Sequence, residues 1–359
     1  MVASAEAGPP AGAGRRVRVR PVLEPERLQW DGYVGTQAHG NLLQSWGWGE
    51  LRRRNGWAVF RLCAQRPPDP GWLGAIQVMR QPLGPLGMGW GYAAQGPVLS
   101  SLDDGQVCRA LLQAAASRLR RQRAFQLKCD PEWPLGPDAA RLRRFCRLRP
   151  ARFDIQQRDT WLVGLDGGRD GVWERLSSST RRNIRLSQRA GVEVRGERGG
   201  GAVATFYQLH RQTVARQRFT TRPLDYYQTA VGELAATVFV ASLGGQPLAA
   251  AVAVRFGRRL IYLYGGTSPD RADARASFAL HWAMIGWGID GGCTIYDMWG
   301  IPRRFDPGRR DHGYALFKTR WGGGAAHYGG LLIAPVLGPL DPLVHLLEAA
   351  LLRRRPLLR

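Results

Sequence analysis

The sequence predicts a mixed α/β protein made of two successive units, and three observations lead to this fold class. The chain of 359 residues is long for one hydrophobic core and sufficient for two. With 44% hydrophobic and 22% charged residues, its composition is that of a globular protein. Strand-like and helix-like segments alternate through the first 150 residues, and the alternation begins again near Thr160.

The first unit follows an Ala/Gly/Pro-rich stretch, 1–16, which has no apolar core and is expected to be a disordered tail. Its clearest element is a helix at 103–121, because Asp103 or Asp104 can cap it and apolar residues recur every three or four positions. The other predicted elements are a helix-like segment at 44–54, strands at 57–64 and 73–80, a strand with a tight turn at 92–99, and a strand at 124–129.

The second unit is predicted to contain a three-strand antiparallel meander, because glycine-containing turns separate three apolar runs. Its elements are a strand at 160–165, a very basic helix at 172–190, helices at 204–218 and 224–234, meander strands at 238–243, 248–256 and 260–265, a helix at 277–290 and a strand at 295–298. The first domain is expected to comprise 17–154 plus about 320–340, and the second 155–319.

A last helix is predicted at 341–359, since Asp341-Pro342 is typical of an N-cap followed by proline at the first helical position. Leucines follow, and then Arg353-Arg354-Arg355. One interpretation is a helix packed on its domain, with cations that oppose the helix dipole. The other is a helix that lies on an anionic membrane surface.

The net charge of +23 comes from 51 basic and 28 acidic residues. Such a field steers polyanions such as nucleic acid, anionic lipid or pyrophosphate substrates, although a general bias toward arginine explains it equally well. Lys128 and Lys318 are the only lysines. Because lysine offers a compact ammonium with a readily shifted pKa, a retained lysine is a candidate for a task that arginine cannot perform.

Several classes of protein are disfavoured by missing motifs. No stretch reaches 18 apolar residues, and the five cysteines show no CxxC spacing, so we expect no transmembrane helix, disulfide framework or zinc site, and a reducing cytoplasm as the location. Neither a P-loop nor a nucleophile elbow is present. His281 falls on an apolar helix and is interpreted as a core histidine. The sequence therefore predicts transfer between two bound substrates, without covalent nucleophile, metal or cofactor.

A series of short motifs runs in order through about residues 28–330. They are Leu43-Gln44-Ser45 through Trp48-Gly49-Glu50-Leu51-Arg52, Tyr92 through Gln95-Gly96-Pro97-Val98, Cys129-Asp130-Pro131, Gln156 to Thr160, Thr180-Arg181-Arg182-Asn183-Ile184-Arg185, Phe206-Tyr207 through Tyr226-Tyr227, Tyr262-Leu263-Tyr264-Gly265-Gly266, Tyr296-Asp297 with Gly300-Ile301-Pro302, and Phe317-Lys318. Together they resemble the Fem family of non-ribosomal peptidyltransferases, with Gln95 in place of that family's basic residue.

The resemblance implies two tandem GNAT-like acyltransferase domains and membership of the subset that lacks a long helical arm. It implies aminoacyl-tRNA as donor, and lipid II or UDP-linked muramyl-pentapeptide as the peptidoglycan precursor that accepts the amino acid. The expected reaction is aminolysis of the tRNA ester in the cytoplasm, with contact to the membrane surface as a further expectation. Residues 271–277, before the apolar helix, contain no glycine, which argues against a pyrophosphate loop for acyl-CoA.

The resemblance also implies roles for individual residues. Lys318, in the Phe317-Lys318 motif, is the expected catalytic residue, whose ammonium would stabilise the oxyanion at the ester carbonyl. The expected substrate-binding residues are Arg222, Tyr226, Arg52, Tyr264, Phe317 and Tyr92. Arg222 and Tyr226 are four apart, so a helix would place them on one face, suited to a diphosphate.

A basic helix is the candidate tRNA-binding surface. Its residues are Arg181, Arg182, Arg185 and Arg189, of which positions 181, 185 and 189 would share one helix face. Two alternatives stay open: an acyl-CoA-dependent N-acyltransferase of the same double fold, and a non-catalytic basic protein that binds RNA or a membrane surface. The sequence names neither the amino acid transferred, nor a general base, nor an oligomeric state.

Overall fold

The computed structural model describes residues 16–83, 88–217, 220–303 and 312–337. The tail predicted at 1–16 lies outside these ranges apart from Arg16, and the helix predicted at 341–359 lies wholly outside them. Within the described part of the chain, no helix combines the length and the apolar character that crossing a membrane requires.

The described residues form strands and helices that alternate along both halves of the chain. The strands are β1 (Arg18–Pro21), β2 (Ala58–Gln65), β3 (Gly74–Leu83), β4 (Met88–Ala93), β5 (Val98–Leu99), β6 (Ala124–Cys129), β7 (Arg149–Pro150), β8 (Asp159–Gly164), β9 (Glu193–Glu197), β10 (Thr237–Leu243), β11 (Gln246–Phe256), β12 (Arg259–Thr267), β13 (Ile295–Ile301), β14 (Gly324–His327) and β15 (Leu332–Ala334). The helices are α1 (Arg27–Thr36), α2 (Trp46–Arg54), α3 (Gly105–Arg121), α4 (Pro137–Phe145), α5 (Gly168–Arg175), α6 (Ser178–Arg189), α7 (Gly200–Gln217), α8 (Leu224–Glu233), α9 (Ala276–Asp290) and α10 (His312–Thr319).

Two mixed sheets hold these strands, and each is built on the same plan. The first has the order β1-β2-β3-β4-β6-β15-β7, with β5 paired to β3, and the second has β14-β8-β13-β12-β11-β10-β9. In each, four antiparallel strands are followed by a helix (α3 or α9) and a strand parallel to the fourth, β6 beside β4 and β13 beside β12. Two more antiparallel strands complete each sheet, so the predicted mixed α/β fold with two units is confirmed.

The helices that connect the parallel strands form where their sequences predict them. The Asp104 carboxylate accepts a hydrogen bond from Val107 N (3.1 Å) and caps α3, as expected. Buried apolar residues at helical spacing, including Leu111 and Leu119, face the first sheet. Helix α9 is apolar on most of its surface because it packs closely on the second sheet, where Gly288 leaves no room for a Cβ beside Leu260.

The prediction of a single basic helix at 172–190 is wrong, because this segment forms two helices, α5 and α6. Helix α5 ends at Arg175, Leu176 is extended, and Ser177 starts α6 by accepting a hydrogen bond from Thr180 N (3.2 Å). The serines at 177–179 carry this N-cap chemistry, which the run of helix-forming residues around them obscured.

The path between the two sheets also differs from the expected one. The sequence predicts a return to the first domain near residue 320, but β14 pairs with β8 in the second sheet. Only β15 joins the first sheet, where it lies between β6 and β7. The chain therefore passes from the second sheet to the first between His327 and Leu332, after the short strand β14 has paired with the edge of β8.

The two domains meet through a shared hydrophobic core and one close helix contact. Trp48 and Leu51 of α2 belong to the same buried cluster as Val231 and Leu234 of the α8 region. A Cβ at Gly47 of α2 would overlap the carbonyl oxygen of Glu233, so the two helix backbones are in direct contact.

A buried ion pair joins the domains on another side of this core. Arg259 at the start of β12 donates to the Glu132 carboxylate at 2.8 Å, and Asn41 Nδ2 donates to the same carboxylate at 2.8 Å. Burial raises the pKa of Glu132 to about 7, against the opposing effect of the Arg259 charge. The pair is thus an internal contact whose geometry depends on both domains.

Replacing Gly47 by Ala should separate α2 from α8 and lower the free energy of unfolding by about 2 kcal/mol, as overpacking does. Gly232→Ala is the matched control, because Gly232 lies on α8 with open space where a Cβ would be added. Chemical unfolding of both variants checks this. A Gly47→Ala variant as stable as Gly232→Ala would contradict the close contact.

Candidate active site

A cavity of about 590 Å³ opens between the two domains. Its described lining takes side chains from α2, from the ends of α7 and α8, from β12 and from the bulge in β13. The lining residues are Leu43, Trp48, Arg52, Gln156, His210, Thr220, Thr221, Arg222, Tyr226, Tyr227, Leu263, Tyr264 and Trp299. Four residues predicted to bind the acceptor, Arg52, Arg222, Tyr226 and Tyr264, are therefore brought together from separate segments.

Two guanidinium groups face this cavity from different domains. Arg52 lies in the last turn of α2 and stacks its guanidinium on the Trp57 ring, 4.4 Å from the centroid. Burial is the main cause that lowers the pKa of Arg52, and the nearby Arg222 charge acts in the same direction. Arg222 is exposed just before α8, with its guanidinium 5.7 Å from the centre of the Tyr226 ring.

Two tyrosine hydroxyls lie beside these cations. Tyr226 OH and Tyr264 OH are 3.3 Å apart, and Tyr226 is also within hydrogen-bond reach of Arg52. Burial is the main reason why the pKa of Tyr264 is raised, so its phenol stays protonated and can donate. Two cations and two hydroxyls around one space suit a dianionic group such as a diphosphate.

Three further lining residues were not identified from the sequence. His210 Nδ1 lies 2.8 Å from the Gly265 carbonyl, and its Nε2 lies 3.0 Å from Tyr227 OH. The same hydroxyl is 2.9 Å from Thr221 Oγ1. Their spacing along the chain carries no signal for this contact, because α7 and α8 meet only through the tertiary fold.

The wall of the cavity that faces α10 is made by a bulge in β13. Trp299 has a positive φ of 68°, and the pairing of β13 with β8 shifts between Asp297 and Gly300. The buried Asp297 carboxylate holds this bulge, accepting from Thr160 Oγ1 (2.5 Å) and Trp299 N (2.9 Å). A non-glycine residue in this conformation persists only where its surroundings fix it.

Lys318 lies on α10 behind this bulge and is not among the described residues that line the cavity. Its ammonium donates to the carbonyl oxygens of Gly300 (2.9 Å) and Trp299 (3.4 Å), and the Tyr314 ring centre is 5.0 Å away. Only 7% of the residue is exposed. Burial lowers the pKa of Lys318 to about 7, while the Asp297 charge opposes the shift.

The other two residues expected to bind substrate, Phe317 and Tyr92, lie outside this cavity. Phe317 packs into the second domain's core, with ring centres 5.3 Å from Phe278 and 5.0 Å from His281. Tyr92 is buried and donates from its hydroxyl to the Asp130 carboxylate at 2.6 Å. Neither lines the cavity, so any effect of Tyr92 or Phe317 on it is indirect.

His281 of α9 behaves as a core residue. His281 is buried, with Nδ1 2.7 Å from the Tyr296 hydroxyl, so its interpretation as a core histidine is confirmed. Burial lowers the pKa of His281 to about 3, with the Lys318 charge adding to the effect. Among the described residues, no three His, Cys, Asp or Glu side chains are grouped to hold a metal ion.

The basic helix α6 presents a different face from the one predicted. Arg181 turns inward, and its Nη1 donates to the Glu174 carbonyl (3.1 Å) and to others at the end of α5. Arg182, Arg185 and Arg189 are exposed, at positions that share one face of the helix. The Arg181 side chain turns inward because the last carbonyl groups of α5 have no partner within that helix and accept its hydrogen bonds.

Each half of the chain contains a segment that matches the model of a known protein family. Residues 26–140 match the model of the FemAB family, and residues 175–314 match the model of an acetyltransferase (GNAT) domain. The crystal structure of FemX superposes with a TM-score of 0.83 at 19% sequence identity, covering 91% of this chain and 100% of that one.

Two curated relatives align over most of their length. The UDP-N-acetylmuramoylpentapeptide-lysine N(6)-alanyltransferase of Weissella viridescens is 25% identical over 299 residues, covering 78% of this chain and 87% of the relative. The lipid II:glycine glycyltransferase of Staphylococcus aureus is 22% identical over 372 residues, covering 81% and 87%.

The repeated sheet plan and the cavity between its two copies define a transferase with two tandem GNAT-type domains. Within this class, residues 26–140 match the FemAB family, and the chain is similar over most of its length to aminoacyltransferases of the Fem type. The resemblance noted in the sequence is thereby confirmed.

The paired guanidinium groups predict a measurable anion site. Arg52→Met and Arg222→Met should each weaken the binding of inorganic pyrophosphate about tenfold, since each removes a charge-assisted contact. Isothermal titration calorimetry checks this. Arg53→Met is the control, because Arg53 is exposed on the same helix and pairs with Glu50. Equal effects of all three substitutions would contradict the site.

Proposed function

We propose that this protein transfers an amino acid from aminoacyl-tRNA to the side-chain amine of the stem peptide of a peptidoglycan precursor, either lipid II or UDP-linked muramyl-pentapeptide. The observation that carries the proposal is the cavity in which Arg52, Arg222, Tyr226 and Tyr264 converge. Both candidate acceptors contain a diphosphate, the group that this set of donors suits.

The names of the relatives support the acceptor class. One acts on a UDP-linked muramyl-pentapeptide and the other on lipid II, and both are named as transferases of an amino acid. We assign the diphosphate to the two arginines, with Tyr226 and Tyr264 as further donors. The stem peptide then extends along the cavity toward the wall formed by Trp299.

Lys318 suits the donor side of the reaction. It lies immediately behind that wall, fixed by the carbonyl groups of Trp299 and Gly300. With a pKa of about 7, the Lys318 amino group is partly protonated at neutral pH. It lies in surroundings of low dielectric constant, where a positive charge interacts strongly with a developing negative charge. We propose that it stabilises the negative charge that develops on the ester carbonyl oxygen.

The proposed chemistry is aminolysis. The neutral acceptor amine attacks the carbonyl carbon of the aminoacyl ester, and a C–N bond forms as the carbonyl oxygen gains negative charge. The tetrahedral intermediate then expels the 3′-terminal ribose oxygen of the tRNA, so the ester C–O bond breaks. The amine loses a proton, and the ribose oxygen gains one. Positioning of the two substrates supplies much of the rate.

The surface charge supports tRNA as the donor. Arg182, Arg185 and Arg189 form an exposed cationic face on α6, which suits the phosphates of a nucleic acid. In the first domain, the Asp104 carboxylate already occupies the start of α3 and pairs with Arg66. A negative charge at this helix end disfavours the pyrophosphate of acyl-CoA there.

A transfer assay tests the proposed function. The purified protein is mixed with tRNA charged with labelled amino acids and with each acceptor in turn, with and without ribonuclease. We expect label in the muropeptide only when the tRNA is intact. Transfer from acyl-CoA, or no transfer to either acceptor, would overturn the proposal.

Lys318→Met should abolish transfer and at the same time stabilise the fold. The lysine's pKa in the folded state lies below its unfolded value of 10.5, so burying the ammonium destabilises the protein at pH 7 and below. The gain in the free energy of unfolding should be on the order of a few kcal/mol at pH 6.5. It should shrink as pH rises toward 10, where the unfolded lysine also becomes neutral.

Lys128→Met provides the control, because it removes the other lysine, whose ammonium lies 4.8 Å from the centre of the Trp90 ring. This variant should keep transfer activity. Urea unfolding at pH 6.5 and 9.5 measures the stability of both variants. Retained transfer in Lys318→Met, or a loss of stability at pH 6.5, would refute the assigned role.

A further inference from the structure

A chain of hydrogen bonds connects the second sheet to the segment that carries Arg222. It starts at the Gly265 carbonyl of β12, passes through His210 of α7 and the hydroxyl of Tyr227 on α8, and ends at Thr221 and Arg222. The backbone N–H of Arg222 lies 3.4 Å from the Tyr227 oxygen. The Arg222 side chain is exposed, and this chain of hydrogen bonds anchors the backbone of the residue.

The direction of each hydrogen bond follows from the groups involved. A carbonyl oxygen only accepts, so His210 Nδ1 must carry a proton and donate to Gly265. Burial lowers the pKa of His210, so the ring is neutral at pH 7 and Nε2 accepts. Tyr227 therefore donates its single proton to His210, which leaves its oxygen to accept from the Arg222 N–H and from Thr221.

Packing of aromatic rings also holds this arrangement. The His210 ring stacks on Phe206, with centroids 5.3 Å apart and an angle of 21° between planes. The Tyr227 ring meets Tyr264 edge to face at 5.2 Å, which ties it to the hydroxyl pair in the cavity. Both side chains are thus fixed, and the Tyr227 oxygen is presented at one position.

We propose that His210 is a positioning residue, which acts through Tyr227 to hold the backbone of Thr221 and Arg222 so that the Arg222 guanidinium faces Arg52. The inference rests on the proposed function in one respect, because it assumes that this arginine binds the acceptor. The role of the hydrogen-bond chain itself is independent of that assumption. Neither residue needs to touch the reacting atoms.

The test is a double-mutant cycle with His210→Phe, Tyr227→Phe and the double variant. His210→Phe keeps the stacking on Phe206, and Tyr227→Phe removes only the hydroxyl. Each single variant should raise KM for UDP-linked muramyl-pentapeptide about tenfold with little change in kcat. The double variant should lose no more than either single variant, because both break the same chain.

Two further variants separate positioning from a general loss of structure. Tyr207→Phe is the matched control, since Tyr207 also packs on Tyr227, with ring centres 5.8 Å apart. It should leave KM unchanged. His210→Gln retains an acceptor for the Tyr227 hydroxyl and should restore most of the affinity that His210→Phe loses.

Hydrogen–deuterium exchange tests the chain without any substrate. The peptide that contains 220–224 should exchange about tenfold faster in Tyr227→Phe and His210→Phe than in the wild type or in Tyr207→Phe. In Tyr227→Phe the Arg222 amide loses its acceptor, and in His210→Phe that acceptor is no longer held in place. Unchanged exchange, additive effects on KM, or a loss confined to kcat would overturn the inference. If the wild type transfers nothing, the proposed function fails, and exchange alone still decides the role of His210.

Discussion

The contact between α2 and α8 fixes how far apart the two domains lie. At Gly47 the backbones touch without a side chain between them, and a few residues further along the same helices lie Arg52 and Tyr226. The buried Glu132–Arg259 pair joins the domains at a second point. Two such contacts restrict rotation as well as separation, so Arg52 on α2 and the segment just before α8 that carries Arg222 are held close together.

Electrostatics divides the site into two regions. Arg52 and Arg222 repel each other in the cavity, and an anion between them relieves that repulsion. Lys318 instead lies behind the bulge in β13, where burial weakens its hold on a proton. Arginine serves the first region because its charge persists. The lysine in the second region has a compact ammonium whose protonation depends on its surroundings.

Much of the fold could be predicted from local sequence patterns. Asp104 and the apolar spacing after it fixed α3 closely, and the glycine-containing turns marked the meander of β10, β11 and β12. The break at Ser177 was missed because a helix cap and a helix interior both tolerate serine when arginines surround it. Short strands such as β14 carry no pattern of their own, since partners distant in sequence define them.

The site divides in the same way. Arg52, Arg222, Tyr226 and Tyr264 were found because motifs mark them, and the structure brings all four to one cavity. Motifs do not distinguish residues that line a cavity from residues that support it, so Phe317 and Tyr92 were expected to bind substrate although neither lines this cavity. His210 lies inside the motif that runs from Phe206 to Tyr227 but was assigned no role, because its contact with Tyr227 exists only after α7 and α8 pack.

The position of β15 has a consequence for how the protein is made on the ribosome. This strand lies between β6 and β7, yet the whole second domain separates it from them along the chain. Until it emerges, β6 carries an unpaired edge, which is a ready template for misassociation. The nascent first domain must therefore wait, incomplete, while the second is synthesised, and completion of one domain is kinetically tied to completion of the other.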